Sequence, residues 1–204
     1  AVRTIGIGSN NLKKINTNSN LSMNSIELEK EIKEDLKNNY TPLAIISTFG
    51  TTGTVAFDSL KDIGKIAKKY KIWHHIDAAY AGVILFLKKY RHNAKYIKNA
   101  DSFVFNPHKW MLTNFDCSLY FAKDKEKLIR ALEIHPEYLK SEENKINNYK
   151  DWSLQLGRRF RALKLWFVIR SYGLKGIKKY LKNHIALAKY LYKRISKNKN
   201  FELT

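Results

Sequence analysis

Short apolar runs and longer periodic segments alternate along this chain, and their lengths predict a succession of strands and helices. Runs typical of strands lie in "AVRTIGIG", "LAIISTFG", "KIWHHIDA", "SFVF" and "CSLYFAKD". In the segments between them, apolar residues recur every three or four positions, which indicates amphipathic helices. Strands that alternate with helices predict an α/β fold with a mainly parallel sheet covered on both faces.

Two of the predicted helices carry N-terminal signals. Asn24 with Glu27 three residues later resembles a capping box, and the helix is expected to run to about Asn38. Its inward face is predicted to consist of Ile26, Ile32 and Leu36. Asp58 is expected to cap the second helix, whose predicted inward residues are Leu60, Ile63, Ile66, Ala67 and Tyr70. The unbroken run "LAIISTFG" predicts a strand buried on both faces.

The last third of the chain predicts a loop followed by two helices. Residues 134–150 are polar and irregular, and we expect an exposed, mobile loop. The segment "GRRFRALKLWFVIRSYG" predicts a helix that ends at Gly173. Residues 174–197 predict another, with an apolar stripe of Leu174, Ile177, Leu181, Ile185, Ala188 and Leu191.

The net charge of +20, from 38 Lys and Arg against 18 Asp and Glu, raises nucleic acid or an anionic membrane as a partner. The basic residues, however, are single lysines or pairs spread along helices, and no known nucleic-acid module is present. We therefore expect a solvated surface and no nucleic-acid partner. No apolar run reaches the roughly 18 residues of a membrane span, so we expect no membrane partner. Cys117, the one cysteine, fits a reducing compartment and is expected in the core.

Candidate chemistry lies where the predicted strands end, because ligands of open parallel sheets gather at the carboxyl ends of strands. The polar residues at these ends are Thr51, Thr52, Asp77, Asn106, His108 and Lys109. Lys109 lies in the most apolar neighbourhood of any lysine here, and a lysine in an apolar pocket tends to lose its proton and become a nucleophile. A strand-end Asp, taken alone, is equally consistent with a helix cap or an ion pair.

Together these residues match the needs of one cofactor. Pyridoxal phosphate requires a lysine, a carboxylate beside its ring nitrogen and donors around its phosphate. Lys109, Asp77 and the pair Asn106 and His108 can supply these three functions. No metal site is predicted.

At these residues the chain resembles the pyridoxal-phosphate-dependent group II decarboxylases. The resemblance lies in "STFGTTGTVAFDSL", "HIDAAYAG", "ADSFVFNPHKWMLTNFDCS" and "LGRRFRALKLWFVIRSYG", in this order. It is strongest to the aromatic-L-amino-acid decarboxylase branch. The resemblance implies the aspartate aminotransferase-like fold (fold type I). Residues 1–171 would form the second half of its large domain, with a mobile catalytic loop at about 134–150. Residues 172–204 would begin a truncated small C-terminal domain.

The resemblance also implies roles for residues that contact the cofactor. Lys109 would be the Schiff-base lysine, and Asp77 would pair with the pyridine nitrogen. Ala79 would pack against the ring, while Asn106 and His108 correspond to phosphate-side residues of the family.

Four further residues have implied roles in catalysis or specificity. Thr52 would lie near the cofactor and the substrate carboxylate, with a structural turn threonine as the alternative; His75 would support Asp77, or be a satisfied core histidine. Tyr138, in the predicted mobile loop, would deliver a proton to the carbanion left by carbon dioxide. Gly157 fits a pocket wide enough for an indole or phenol ring.

The implied activity is decarboxylation of an aromatic L-amino acid, of the DOPA, tyrosine or tryptophan type, to its amine and carbon dioxide. Alternatives on the same scaffold are an aromatic aldehyde synthase, a histidine or other amino-acid decarboxylase, and an inactive family member. We expect the chain to be a central fragment of a longer cytoplasmic enzyme that is a homodimer, and the isolated fragment to be inactive.

Overall fold

The computed structural model describes residues 2–133 and 149–202. The chain divides into two compact units. Unit 1 comprises Ala1–Gly82, Lys95–Phe105 and Tyr120–Asp124. Unit 2 comprises Val83–Ala94, Asn106–Leu119 and Lys125–Thr204. The predicted boundary between residues 171 and 172 stays a prediction.

A four-stranded sheet forms the centre of unit 1. Its strands, in spatial order, are β1 (Ala44–Thr48), β2 (Trp73–Asp77), β3 (Ser102–Phe105) and β4 (Leu119–Ala122). The pairs β1/β2 and β2/β3 are parallel, and their register sets Asp77 opposite Thr48 and Val104. The parallel sheet with intervening helices confirms the predicted α/β fold.

The helices are α1 (Ser25–Lys37), α2 (Leu60–Tyr70), α3 (Ala94–Ile97), α4 (Pro107–Trp110), α5 (Lys125–Leu132) and α6 (Arg161–Ile195). Helices α1, α2 and α6 lie in predicted segments, whereas α4 and α5 were not predicted. Single 3₁₀ turns occur at Ser9–Asn11, Gly82–Phe86, Arg91–Asn93 and Tyr149–Trp152. No described helix has the length and apolar character needed to cross a membrane.

Helix α1 starts as predicted but buries a different face. The Asn24 side chain accepts hydrogen bonds from the backbone N–H groups of Ile26 (3.0 Å) and Glu27 (3.1 Å), which caps the helix. The prediction that Ile26 and Leu36 point inward is wrong, since Ile26 is 82% exposed and Leu36 is also exposed. The buried residues are Leu28 and Ile32, one turn apart, and they join a core of Ile45, Ile63, Ile66, Ala67 and Ile72.

The cap of α2 lies one residue later than predicted. The Ser59 hydroxyl accepts from the Asp62 N–H at 3.3 Å, so Ser59 is the capping residue. Asp58 instead accepts from the backbone N–H groups of Met23 (2.6 Å) and Thr48 (2.7 Å), and so connects the loop before α1 to the end of β1. The inward face of α2 is as predicted, with Tyr70 only half-buried.

Two strand predictions near the start of the chain are wrong. Residues 2–7 form turns, in which Gly6 N–H donates to the Arg3 carbonyl at 3.3 Å and Gly8 N–H to the Val2 carbonyl at 3.1 Å, so these groups do not enter a ladder. Strand β1 is not buried on both faces, because Ala44 and Ile46, which share one face, are exposed, Ile46 at 53%.

Helix α6 of unit 2 is interrupted at Gly173, whose φ of 58° and ψ of 173° are not helical. A residue in this left-handed region favours glycine, which has no Cβ to clash. The two segments on either side correspond to the two predicted helices. Of the predicted stripe, Ile177 and Leu181 are buried, whereas Leu174 and Leu191 are exposed.

Candidate active site

Asp77 is the last residue of β2 and is half-buried. Its Oδ1 accepts a hydrogen bond from the Ala79 backbone N–H at 2.9 Å, which ties the carboxylate to the turn that follows the strand. Its Oδ2 has no hydrogen-bond partner among the described residues. The carboxylate is therefore oriented by the backbone and keeps one oxygen available for a ligand.

The turn after Asp77 is held by close backbone approaches. A Cβ at Gly82 would lie 2.5 Å from the Cβ of Phe105, and one at Gly50 would overlap the Cβ of Ala81. Gly50 also has a φ of 89°, a region that side chains disfavour. The turn is thus packed against the residues that follow β1 and end β3, which fixes the position of Asp77 and Ala79.

Thr52 lies in the turn after β1 with an exposed side chain. Its neighbour Thr51 makes the turn contacts, because its Oγ1 accepts from the Ala56 N–H at 2.9 Å and lies 2.8 Å from Thr54 Oγ1. The structural turn role, which is the alternative for Thr52, is filled by Thr51. The Thr52 hydroxyl has no hydrogen-bond partner in the described part of the chain.

His75 is connected to Ser102 rather than to Asp77. Its Nδ1 lies 2.8 Å from Ser102 Oγ, which also accepts from Trp73 Nε1 at 3.0 Å. Its ring stacks on Tyr120 with centroids 6.0 Å apart. Burial lowers the pKa of His75, and the negative charge of Asp77 opposes that shift.

The adjacent His74 points to the other face of the sheet, because side chains alternate along a strand. It is fully buried, with Nε2 2.8 Å from Ser47 Oγ and Nδ1 without a partner among the described residues. Burial lowers the pKa of His74 to about 4, with Asp101 opposing the shift. His74 is accordingly a neutral core residue at pH 7.

In unit 2, the sequence "PHKW" forms the single-turn helix α4, preceded by Asn106. Pro107 and Met111, four residues apart, are buried, and Lys109 is on the exposed side of the turn. The prediction that the Lys109 side chain is buried in an apolar pocket is therefore wrong for this chain. Its Nζ makes no hydrogen bond or ion pair within the described residues, so the amine is available to a ligand.

The residues around Lys109 are cross-connected to the segment that leads to β4. The Ser118 hydroxyl donates to Asn106 Oδ1 at 2.7 Å. His108 Nδ1 lies 2.9 Å from the backbone nitrogen and 2.7 Å from the carbonyl oxygen of Cys117. The His108 ring also packs edge-to-face on Phe115, with centroids 4.9 Å apart. Residues 106–118 thus form a closed loop, which we call the lysine loop.

Gly157 is the last predicted site residue within the described part of the chain. Gly157 lies in an exposed segment before α6, and a Cβ there would have no described atom within 4 Å. Its predicted role in pocket width is therefore not imposed by packing within unit 2. Tyr138 lies outside the described residues.

Sequence reasoning did not single out Ser102, Ser118 or Asp116. Asp116 accepts from Arg159 Nη2 and, at 3.0 Å, from Arg161 Nε. A weak signal for this contact was present in the sequence, since Arg159 and Arg161 lie at the start of a predicted helix, where a positive charge opposes the helix dipole and a nearby anion offsets it. Ser102 could have been found because its hydroxyl lies in an apolar predicted strand. A buried hydroxyl needs a hydrogen-bond partner, and a polar side chain on a neighbouring strand can supply it.

Taken separately, the two units each carry side chains whose chemistry fits part of a ligand with a carbonyl, a protonated ring nitrogen and a phosphate. Unit 1 offers a carboxylate with one free oxygen at Asp77. Unit 2 offers an amine at Lys109, and a His108 ring whose Nε2 is without a partner in the described residues.

Comparison with known proteins identifies the family. Residues 2–204 match the pyridoxal-dependent decarboxylase conserved domain. The chain is 42% identical to tyrosine decarboxylase 4 of Petroselinum crispum, over 100% of this chain and 41% of that protein. It is 43% identical to phenylacetaldehyde synthase of Arabidopsis thaliana, over 100% of this chain and 42% of that protein.

A solved structure shows the same fold. The crystal structure of Oryza sativa TDC with PLP and tryptamine matches with a TM-score of 0.95 and 30% identity, over 100% of this chain and 42% of that one. The chain spans about two fifths of the length of the relatives that it matches.

Proposed function

The chain belongs to the pyridoxal-dependent decarboxylase family, and from that premise we propose that the whole protein removes the carboxyl group of an aromatic L-amino acid. The products would be the corresponding amine and carbon dioxide. Support comes from the similarity over the full chain to a protein named as a tyrosine decarboxylase and to a structure that holds tryptamine.

The cofactor of the proposed reaction is pyridoxal phosphate. The chemistry that it supplies when bound is an electron sink for the pair left on Cα when carbon dioxide departs. The observation that carries the proposal is the Lys109 amine, which is exposed, has no ion-pair partner among the described residues and is presented by the cross-connected lysine loop. Lys109 would hold the cofactor through this amine.

The other residues would orient the cofactor and the substrate. Asp77, through the oxygen not used by Ala79, would hold the proton on the pyridine nitrogen. Ala79 is a small residue at the turn, and its methyl group would lie against the flat ring. Asn106 and His108 would donate to the phosphate, and for His108 this leaves Nε2 as the donor.

Residues beyond the cofactor would act on the substrate. The free hydroxyl of Thr52 would contact the substrate carboxylate. His75, which is tied to Ser102, would support the charge of Asp77 from the same face of β2. Tyr138 would return a proton to Cα, and Gly157 would leave room for an indole or phenol ring.

A second candidate is an aromatic aldehyde synthase, which the similarity to phenylacetaldehyde synthase favours. The resemblance to the group II decarboxylases implies that members with phenylalanine at the position of Tyr138 tend toward aldehyde synthesis, so the tyrosine supports plain decarboxylation. Product analysis with tyrosine, DOPA, tryptophan and 5-hydroxytryptophan separates the two, because aldehyde synthesis also yields peroxide and ammonia.

We also propose that the whole protein is a cytoplasmic homodimer whose partner is a small aromatic amino acid, without nucleic acid or membrane. Size-exclusion chromatography with light scattering measures the assembly. Retention of the protein in the membrane fraction, or salt-sensitive binding to DNA or RNA, would contradict this proposal.

The test of the cofactor site is reductive labelling. The full-length protein is incubated with pyridoxal phosphate, reduced with borohydride and digested, and the pyridoxyl group is located by mass spectrometry. We expect the label on the peptide that contains Lys109 and its loss in Lys109→Arg. Lys98→Arg, which removes another exposed lysine, is the matched control and should keep the label. A label spread over surface lysines would overturn the proposed site.

A further inference from the structure

The contacts of the lysine loop extend beyond the residues that would touch a ligand. We propose that Asp116, held by Arg159 and Arg161, is a positioning residue that directs the Cys117 amide at His108 Nδ1 and so keeps the neutral ring's proton on Nε2. His108 would then present Nε2–H as a fixed donor to an anionic group. The nature of that group, a phosphate, rests on the proposed function.

The first step concerns which atom of Cys117 pairs with His108 Nδ1. Nδ1 has one in-plane position, and it can either accept from the Cys117 N–H (2.9 Å) or donate to the Cys117 carbonyl (2.7 Å). The carbonyl already accepts from the backbone N–H of His108 at 3.3 Å. The Cys117 N–H has no other acceptor in the described part of the chain.

The hydrogen-bonding needs of the Cys117 backbone N–H and carbonyl decide between these two arrangements. Cys117 is 3% exposed, so an N–H left without an acceptor there would lack water as well. Buried N–H groups without a partner are rarer than under-satisfied carbonyls, which have two lone pairs. The arrangement in which Nδ1 accepts from the amide is therefore favoured, and the proton of the neutral ring resides on Nε2.

The second step connects this amide to Asp116. The Cys117 N–H belongs to the peptide between Asp116 and Cys117, so its direction depends on where Asp116 is held. The carboxylate is bound by Arg159 Nη2 and by Arg161 Nε at 3.0 Å. Partial burial alone would raise the pKa of Asp116, but the hydrogen bond from Arg161 and the two guanidinium charges lower it overall, so the carboxylate is ionised at neutral pH.

The third step is that Nε2 is free to act. It has no hydrogen-bond partner among the described residues, and the ring is half-buried rather than enclosed. Phe115 packs edge-to-face on the ring at 4.9 Å and restricts its rotation. The ring is therefore fixed by one hydrogen bond and one aromatic contact, with a single donor left for a ligand.

The experiment uses the full-length protein with ¹⁵N-labelled histidine. The nitrogen shifts distinguish the two neutral tautomers, measured at about pH 8.5, two units above the ordinary pKa of imidazole. The His108 signals are assigned by their loss in His108→Gln. We expect the Nε2–H pattern in the natural protein, and a mixture of tautomers in Asp116→Asn. We also expect pyridoxal phosphate, followed by fluorescence, to bind about tenfold more weakly to Asp116→Asn.

Further variants keep the inference testable if Asp116→Asn folds poorly. Arg161→Gln removes the same contact from the helix side and should give the same tautomer mixture. Arg158→Gln is the matched control, because the acceptors of Arg158 among the described residues are the backbone carbonyls of Tyr149, Lys150 and Gln155. Cys117→Ala removes the thiol but keeps the amide, so it should keep the Nε2–H pattern.

Each outcome separates the inference from the proposed function. An Nδ1–H pattern in the natural protein, or an unchanged pattern in both Asp116→Asn and Arg161→Gln, overturns the positioning role. A changed pattern with unchanged affinity for pyridoxal phosphate overturns the donor role of Nε2–H. If the pattern changes as expected but even the natural protein does not bind pyridoxal phosphate, the positioning role is upheld and the proposed cofactor is wrong.

Discussion

The end of β2 in unit 1 and the lysine loop in unit 2 both carry candidate site residues, but they are held in different ways. Asp77 is fixed by strand register with Thr48 and Val104, and by a turn packed so closely that glycine is required. The lysine loop is held by side-chain contacts of Asn106, His108 and Asp116.

The two regions should therefore differ in how much a change at the candidate site also costs in folding free energy. At the end of β2, the residues that orient Asp77 are also core residues, so changing them costs folding free energy. In the lysine loop, Pro107, Met111 and Cys117 are buried, but the contacts of Asn106, His108 and Asp116 are polar and partly exposed, and such contacts contribute little net stability. We therefore expect changes there to alter the site more than the fold.

The largest effect is expected for the lysine loop, in Lys109→Ala. Because the amine would hold the cofactor, amine production should fall about a thousandfold or more. Because the side chain is exposed, the free energy of unfolding should change by only about 0.5 kcal/mol. Assay of the amine product, together with urea unfolding, measures both, with Lys98→Ala as the control. If Lys109→Ala lost its activity because it no longer folds, the lysine loop would not differ from the end of β2 in how function and stability are coupled.

The next largest effect is expected at the turn beside Asp77, in Gly50→Ala. The new methyl group would overlap Ala81, and the φ of 89° would be strained, so the free energy of unfolding should fall by about 4 kcal/mol. Urea unfolding measures it. Gly53→Ala is the matched control, since a Cβ there has no described atom within 4 Å. A Gly50→Ala protein as stable as Gly53→Ala would mean that the packing of this turn does not fix Asp77.

A smaller and pH-dependent effect is expected in the core of unit 1, from His74. Its pKa is about 4 in the folded protein and 6.5 as the ordinary value, so the unfolded state binds more protons between these pH values. The stabilisation is complete above pH 6.5 and is lost as the pH falls to about 4. The difference corresponds to about 3 kcal/mol.

The measurement is the free energy of unfolding as a function of pH, for the natural protein and for His74→Gln. The variant should lose the part of the slope between pH 6.5 and 4 that His74 contributes and keep the part from His75, whose pKa burial also lowers. His92→Gln, at an exposed histidine, should keep the full slope. Equal slopes in all three proteins would show that His74 does not resist protonation in the folded state. The loss of stability at low pH would then have to come from titratable groups other than His74.

Much of the fold was predictable from the sequence because its signals are local. The apolar runs located β1 to β4, the periodic segments located α1, α2 and α6, and Gly173 marked the interruption of α6. The errors arose where a neighbouring segment decides the outcome. Residues 2–7 had the composition of a strand but form turns, and Ile26 had helical spacing but faces outward.

The sequence by itself determined the family, the order of strands β1 to β4 and the residue types of the candidate site, because motif spacing and hydrophobic period are properties of the chain. Only the tertiary structure decided that Lys109 is exposed, that His75 contacts Ser102, and that Asp116 pairs with Arg159 and Arg161. These contacts join residues 27 to 45 positions apart. Hydrogen bonds and ion pairs act over a few ångströms in space, so their partners are set by how the elements pack and not by their separation along the chain.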